Sequence, residues 1–572
     1  MNKKHIKQLT IGGFQVFAEP VTIPFGQLTL LYGPNSAGKS AILNAMLALA
    51  DLCDCRTTLS SSPAVAEDDR INSILGRHWR RQGDMSASPV KTLQLGASVR
   101  VFGEEWARSG FASSHVLDMD PLEPESDDFK SCFQLLLPLT KQHIDVEVSF
   151  QYELLEQSAR PPTDQIRTQE RRIKIGLNGS PILQFCSSDS WAAINLNHEA
   201  LRAWTVAKDL RWIAQDYGHS FVIQDGWIVM SLSRLVDGWL ATNAGDSIEP
   251  LLADEHIELM RNAETEFISL FSALFLSSLR SMREILQVPR VQASRAVPRR
   301  SEATFLFAAD ATPLSSESIG LNVNGRQEYL EITRAAFLSE MKGKGIRTAP
   351  EKVRYAHFSR PSKYPIDLIN RLLGEYLFRS SGYFVAAGIH ELTPIESGEQ
   401  ENKTNIDRKF LVSLELRDSV GRKLNFNEVG SGIGYVFPVL LAVASSDVVF
   451  LQQPELHLHP ALQSELADAL IAALSDADFG GKDSIGCKQI IVETHSEHLL
   501  LRLLRRIRQA ADPNRALDPH SIGREDVVVL YVDPKSDGAS SVTHLRISRD
   551  GEFIDRWPRG FFEERWGELF DE

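Results

Sequence analysis

Gly33, Pro34, Asn35, Ser36, Ala37, Gly38, Lys39 and Ser40 have the spacing G-x-x-x-x-G-K-S and follow the apolar run Leu28-Thr29-Leu30-Leu31-Tyr32. Glycines at that spacing let successive backbone N–H groups curl around phosphate oxygens. A helix expected from Ser40 to Leu52 points the positive end of its dipole at the same anion. Lys39 then reaches the β- and γ-phosphates, and the Ser40 hydroxyl is placed to serve Mg²⁺. A chance match in a loop would lack the strand before and the helix after. With both flanks in place, the eight residues predict a site for ATP or GTP with Mg²⁺.

A second chemical constellation lies far along the chain. Asp447–Leu451 reads as a buried strand and runs into Gln452-Gln453-Pro454-Glu455-Leu456-His457-Leu458-His459-Pro460. Upstream, Glu428-Val429-Gly430-Ser431-Gly432-Ile433-Gly434-Tyr435 is a glycine-rich turn opening the apolar run Val436–Val443. It makes a second anion-binding helix start, but not one for the phosphates of residues 33–40. Downstream, the strand 489–492 ends in Glu493-Thr494-His495-Ser496. His457 and His459, two apart with no further ligand near them, read as structural or dimer-facing residues rather than a metal pair.

The elements that must position these groups divide the chain into three. Residues 1–187 are expected to hold the first half of an ATPase head: short strands over 6–32, the phosphate loop, and an antiparallel subsheet from 91–101, 143–154 and 172–186. Residues 188–380 carry mainly helical patterns, with Ile257–Leu286 the longest and Tyr364–Phe378 another. Residues 381–572 return to alternating strand and helix, with strands over 410–416, 448–451, 489–492 and 527–532. At 572 residues more than one structural unit is expected.

Composition narrows the class. Hydrophobic residues at 43% and charged residues at 24% describe a soluble globular chain. The nearest approach to a membrane span, 438–451, is broken by Ser445-Ser446-Asp447. The start Met1-Asn2-Lys3-Lys4-His5 has no apolar core of a secretory signal, so a cytoplasmic location is expected. Cys53, Cys55, Cys132, Cys186 and Cys487 show no metal spacing and read as thiols in a reducing compartment. A net charge of −14 excludes a uniformly basic nucleic-acid coat, leaving two arginine clusters as local candidates. One is Arg280, Arg283, Arg290, Arg295, Arg299 and Arg300; the other is Arg502, Arg505, Arg506 and Arg508. On a helix over Glu497–Ala510 the first three of the second cluster share a face, as a stripe for double-stranded DNA or as an ion-paired face.

The order phosphate loop, long insertion, glycine-rich turn, P-E-L-H-L-H-P and T-H-S resembles the ABC-type ATPase heads of the structural-maintenance (SMC) class. It is most similar to the OLD-like prokaryotic AAA ATPases, among which the ATPase of the Septu antiphage system is counted. The end of the chain, Asp550-Gly551-Glu552-Phe553 through Trp557-Pro558-Arg559-Gly560-Phe561-Phe562, resembles a C-terminal module of such ATPases. The resemblance covers the two ends of the chain well and the middle poorly. It implies an α/β fold, a P-loop NTPase of the ABC-ATPase head type, with a mixed sheet, helices, an antiparallel subsheet and a large mainly helical insertion.

By the same resemblance Gly33, Gly38, Lys39 and Ser40 match the Walker A loop, and Gly430, Ser431 and Gly432 the signature. Gln452 stands at the place of the metal-holding acid and Gln453 at that of the catalytic glutamate, with Glu455 close by. His495 matches the switch histidine, and Gln82 is the candidate for a Q-loop. Glutamine is no general base and a poorer organiser of Mg²⁺ than a carboxylate. Three explanations stand side by side: Glu455 activates the water, ATP is bound and turned over very slowly, or Gln452 is an engineered Glu→Gln trap.

The resemblance further implies ATP sandwiched in a homodimer or higher homo-oligomer. It implies an effector partner such as an HNH-type nuclease, with double-stranded DNA as a further partner and no membrane. Intrinsic nuclease activity is not expected, because the E-G and D-x-D elements of a Toprim module are missing around Val527–Asp533. A transporter ATPase is not expected either, given the length of the insertion.

Overall fold

The computed structural model describes residues 5–53, 92–111, 139–154, 168–186, 191–201, 221–231, 255–288, 290–293, 304–308, 333–334, 365–379, 381–392, 409–424, 429–475, 489–512 and 522–558. Gln82, Arg295, Arg299, Arg300, Cys55, Cys132 and Cys487 lie outside them. The chain forms two compact units. One is Met1–Phe25, Pro34–Gln287 and Val532–Val542; the other is Gly26–Gly33, Val288–Tyr531 and Thr543–Glu572.

Strands β1 (His5–Gly12), β2 (Val21–Pro24) and β3 (Leu28–Tyr32) come first, then helix α1 (Lys39–Leu52). After β4 (Thr92–Phe102) come helix α2 (Gly103–Phe111) and β5 (His143–Leu154). Next are β6 (Thr168–Leu177), β7 (Ser180–Cys186), β8 (Trp191–Asn195), β9 (Phe221–Gln224) and β10 (Trp227–Ser231). Long helix α3 (Glu255–Leu286) completes this series.

In the first unit the order β2-β1-β4-β5-β6-β7-β8-β10-β9 makes a nine-stranded sheet, antiparallel at every pairing. The stretch 172–186, expected as one strand, is a hairpin. Asn178 and Gly179 have φ of 52° and 80° and form the tight turn that matches strand twist. Asp225 and Gly226, at 51° and 86°, repeat the device between β9 and β10. The span expected to be mainly helical thus also adds β8, β9 and β10 to the sheet.

Helix α3 packs on β4, β5 and β7 and against α1 and α2. Its buried residues recur at helical spacing, Phe267, Leu270, Phe271, Leu274 and Phe275, with Phe271 and Phe275 stacked at 5.5 Å. The Trp106 indole of α2 donates to Ser278 Oγ at 3.3 Å, so its buried N–H is satisfied.

The second unit adds β11 (Arg290–Val291), β12 (Thr304–Ala308) and helix α4 (Pro365–Arg371), which loosens into a π turn over Leu372–Leu377. Strands β13 (Phe384–Leu392), β14 (Lys409–Arg417) and β15 (Lys423–Leu424) follow. Then come α5 (Ser431–Ser445), β16 (Val448–Gln452), α6 (Pro460–Ser475), β17 (Gln489–Glu493) and α7 (Glu497–Ala510). Strands β18 (Val527–Pro534) and β19 (Ser540–Leu545) close the series.

The six-stranded sheet has the order β11-β16-β17-β3-β18-β19, and its pairs from β11 to β18 are parallel. Its strands β3, β16 and β17 are buried along their whole length, which is why they read as unbroken apolar runs. Helix α5 is enclosed as well, with every residue from Val436 to Val443 buried, Pro438 in the middle included. A smaller sheet, β12-β14-β13 with β15 on β14, shares this core through Phe305, Phe307, Val412 and Leu414.

Candidate functional site

In the first unit the phosphate loop closes through backbone geometry. Ser36 and Gly38 have φ of 63° and 104°, and Gly33, which ends the β3 segment, has 140°. Left-handed values at the two glycines are the values those residues tolerate without a Cβ penalty. A Cβ on Gly38 would run into Val16 Cγ2, so the position is closed to larger residues twice over. Helix α1 begins at Lys39, directly behind the loop, so the positive end of its dipole faces it. Lys39, 4% exposed, folds back to donate from Nζ to Pro34 O at 2.9 Å.

The loop has a brace that no motif announces. Ser540, from β19, donates through Oγ to Ala37 O at 2.7 Å and through its backbone N–H to Val16 O at 2.7 Å. Residues from three distant stretches thus hold one loop, a contact that sequence spacing does not reveal.

In the second unit the tips of β16 and β17 collect the other candidates. Register pairs Gln452 with Glu493, and both are buried. Gln452 Oε1 accepts from Arg290 Nε at 2.9 Å and Nη2 at 2.7 Å, while its Nε2 donates to Glu493 Oε2 at 2.8 Å. Burial lowers the Arg290 pKa, and the Glu493 charge works in the opposite direction.

Past the strand, Gln453 takes a left-handed φ of 43° and donates its N–H to Glu493 O at 2.6 Å. His457, φ 67°, is the second left-handed residue of the same turn. Such values are uncommon away from glycine and mark a turn that its surroundings enforce. Glu455 is buried, and its Oε1 accepts the backbone N–H of His495 at 2.9 Å. The turn after β16 is thereby tied to the switch segment after β17.

The switch segment is fixed from several sides. Ser496 caps α7 by accepting from Leu499 N at 3.0 Å and donates to Gln463 Oε1 at 2.6 Å. The Tyr32 hydroxyl, at the end of β3, donates to Ser496 O at 3.0 Å. Burial, then the charges of Glu455 and Glu497, push the Tyr32 pKa well up, so it stays a donor at neutral pH. Trp557 of the C-terminal segment packs edge-on against Tyr32 at 5.4 Å and Tyr531 at 6.1 Å.

The glycine-rich turn at Gly430–Gly432 belongs to the same unit. Gly430 precedes α5 with an ordinary φ of −53°, and a Cβ there meets none of the described residues within 4 Å. A Cβ on Gly432 would make only ordinary contact with Leu458 and Leu462, and Tyr435 packs on His457 at 4.4 Å. Of Ser431 the structure describes only the backbone, as the first residue of α5.

Two of the four arginines of the second cluster turn inward. Arg506 Nε and Nη2 donate to Asp468 at 2.7 and 2.8 Å, and Arg502 Nη1 reaches the same carboxylate at 3.2 Å. Asp468, 1% exposed on α6, is thus held by two guanidinium groups. Arg508 donates to Asp550 O at 2.6 Å, and Arg505 faces solvent. Arg502 and Arg506 thus take the ion-paired arrangement, while Arg505 and Arg508 stay exposed. Among the described residues no three His, Cys, Asp or Glu side chains gather as a metal-holding group, and no helix is long and apolar enough to cross a membrane.

A glycine loop between a buried strand of a parallel sheet and a helix start decides the fold. It is that of a P-loop NTPase. Two family models agree: residues 8–50 match "AAA domain", and residues 309–502 match "AAA domain, putative AbiEii toxin, Type IV TA system". No curated protein matches the chain. Among solved structures the chain is similar to an SmcHead bound to the C-winged helix domain of ScpA. Identity is 11% over 95% of this chain and 98% of that one, with a TM-score of 0.37. It is also similar to an Smc head domain with an extended coiled coil bound to the C-terminal domain of ScpA from Pyrococcus furiosus (12% identity, 99% of each chain, TM-score 0.33). A third is the SMC head domain from Thermotoga maritima (10% identity, 95% of this chain and 100% of that one, TM-score 0.32).

Proposed function

We propose that this protein is a regulatory ATPase that binds ATP with Mg²⁺, closes head-to-head with a second copy around the nucleotide, and controls an effector protein. The observation that carries the reading is the loop itself: positive φ at Gly33, Ser36 and Gly38, Lys39 folded back onto Pro34 O, and the start of α1 directly behind. The dimer follows from the signature. Neither its φ nor its surroundings require Gly430 to be glycine, so the missing side chain leaves room for something that approaches from outside. The γ-phosphate held by a second copy is such a ligand, and ATP then stabilises the closed pair by its differential affinity for that state.

In this reading Glu455 polarises the attacking water, Gln453 shapes the turn that presents it, and His495 reports on the nucleotide through the Glu455 contact. The effector is a nuclease, HNH-type in the Septu-like case, and the setting is antiphage defence in a prokaryotic cytoplasm. The toxin description of the model over 309–502 supports such a setting. A second reading has its own observation. Gln452, clamped between Arg290 and Glu493, is no acid, and a chain that binds ATP without turnover would be a nucleotide-dependent scaffold. Steady-state phosphate release separates the two: turnover abolished by Glu455→Gln supports the enzyme, and no release from the parent under any condition supports the scaffold.

A further inference from the structure

Ser540 reaches the phosphate loop by way of a turn that sets its own shape. Between β18 and β19, Gly538 takes a φ of 75° and donates its N–H to Lys535 O at 3.0 Å. Lys535 N donates to Ala539 O at 2.8 Å, and Ala539 N to Asp537 Oδ1 at 2.9 Å. The turn therefore delivers Ser540 to one place, where both of its donors are used. Oγ takes Ala37 O and the backbone N–H takes Val16 O, each at 2.7 Å. Val16, Ala37, Gly38 and Ser540 all belong to the first unit.

The Oγ bond orients as well as tethers. A trans peptide is planar, with its C=O and N–H on opposite edges. Holding Ala37 O against Ser540 therefore turns the Gly38 N–H the other way, away from β19. A loop that wraps an anion needs its N–H groups on one side. Gly38 is where that alignment is easiest to lose, because glycine lets the peptide before it rotate through both signs of φ. The value of 104° shows which sign is taken with the brace in place.

We propose that Ser540 is a positioning residue of the nucleotide site: its hydroxyl holds the Ala37–Gly38 peptide in the orientation that offers the Gly38 N–H to a phosphate oxygen. The proposal rests on the nucleotide reading above. Two tasks divide within this one residue. The backbone bond to Val16 O keeps β19 in place whatever the side chain, and Val16 Cγ2 backs Gly38, where an added Cβ would collide with it. Removing the hydroxyl thus frees one peptide without freeing the strand. That peptide then also samples the flipped orientation, with the Ala37 carbonyl oxygen toward the phosphate, and apparent affinity falls with the competent fraction.

The test uses the full chain with ATP as the probe, read by calorimetry, beside the thermal midpoint of the nucleotide-free protein. Ser540→Ala is expected to weaken ATP binding about tenfold, with the nucleotide-free midpoint within about 2 °C of the parent. Ser540→Cys, close in size but a weak donor, should behave as the alanine variant does. Ser540→Thr keeps the hydroxyl and should restore the parent affinity. A role in packing alone would leave the cysteine variant like the parent. If Ser540→Ala does not fold, Ser540→Cys is read in its place. ATP affinity unchanged in the folded variants, or a loss that Ser540→Thr leaves uncorrected, overturns the assignment. A parent chain that binds no ATP overturns the nucleotide reading instead.

Discussion

The phosphate loop and the strand-tip cluster solve the same kind of problem in opposite ways. The loop is eight consecutive residues whose φ values, glycines and following helix make the shape, with Val16 and Ser540 as outside supports. The tip cluster draws Arg290, Gln452, Glu455, Glu493 and His495 from three stretches and holds them through side chains. A local site tolerates little at its glycines, whereas a dispersed site depends on each member being satisfied. The two should therefore fail differently under mutation.

The largest effect is expected on the dispersed side. Glu455→Gln keeps the shape and the acceptor for His495 N but removes the base, and should lower phosphate release about 100- to 10,000-fold with ATP affinity retained. An undiminished rate would move catalysis elsewhere. Next comes the buried carboxylate on α6. Arg506→Glu sets a second negative charge against Asp468 and should cost roughly 3–5 kcal/mol in urea unfolding, whereas exposed Arg505→Glu should stay within about 0.5 kcal/mol. Equal costs for the two would contradict the inward-facing geometry.

On the local side, Lys39→Ala removes a charged donor and should weaken ATP binding by calorimetry about 10- to 100-fold while leaving the fold intact. The smallest effect belongs to the cap of α7. Ser496→Ala loses the bond to Leu499 N and should lower stability by about 1 kcal/mol, read from the denaturant midpoint.

The same contrast governs what could be read from the sequence. The loop was legible because its chemistry is contiguous, and the apolar strands β3, β16 and β17 because burial on both faces leaves an unbroken pattern. Helix α7 lies where its periodicity places it, Glu497–Ala510. Arg290 stood in an arginine cluster that read as a local nucleic-acid candidate, since β11 is two residues long and carries no pattern of its own. Glu493 read as part of a switch tip, because its pairing with Gln452 arises only when two distant strands meet in register. The hairpin at Asn178-Gly179 was missed inside an apolar run although its dipeptide is a turn signal. Ser540 and Trp557 act through contacts across hundreds of residues, which no local spacing encodes.

Native mass spectrometry of the full chain, with and without ATP, tests the central claim most directly. The account predicts an ATP-dependent dimer with nucleotide bound to each copy, absent in Lys39→Ala and enriched in Glu455→Gln. A chain that stays monomeric and nucleotide-free in every condition would contradict it.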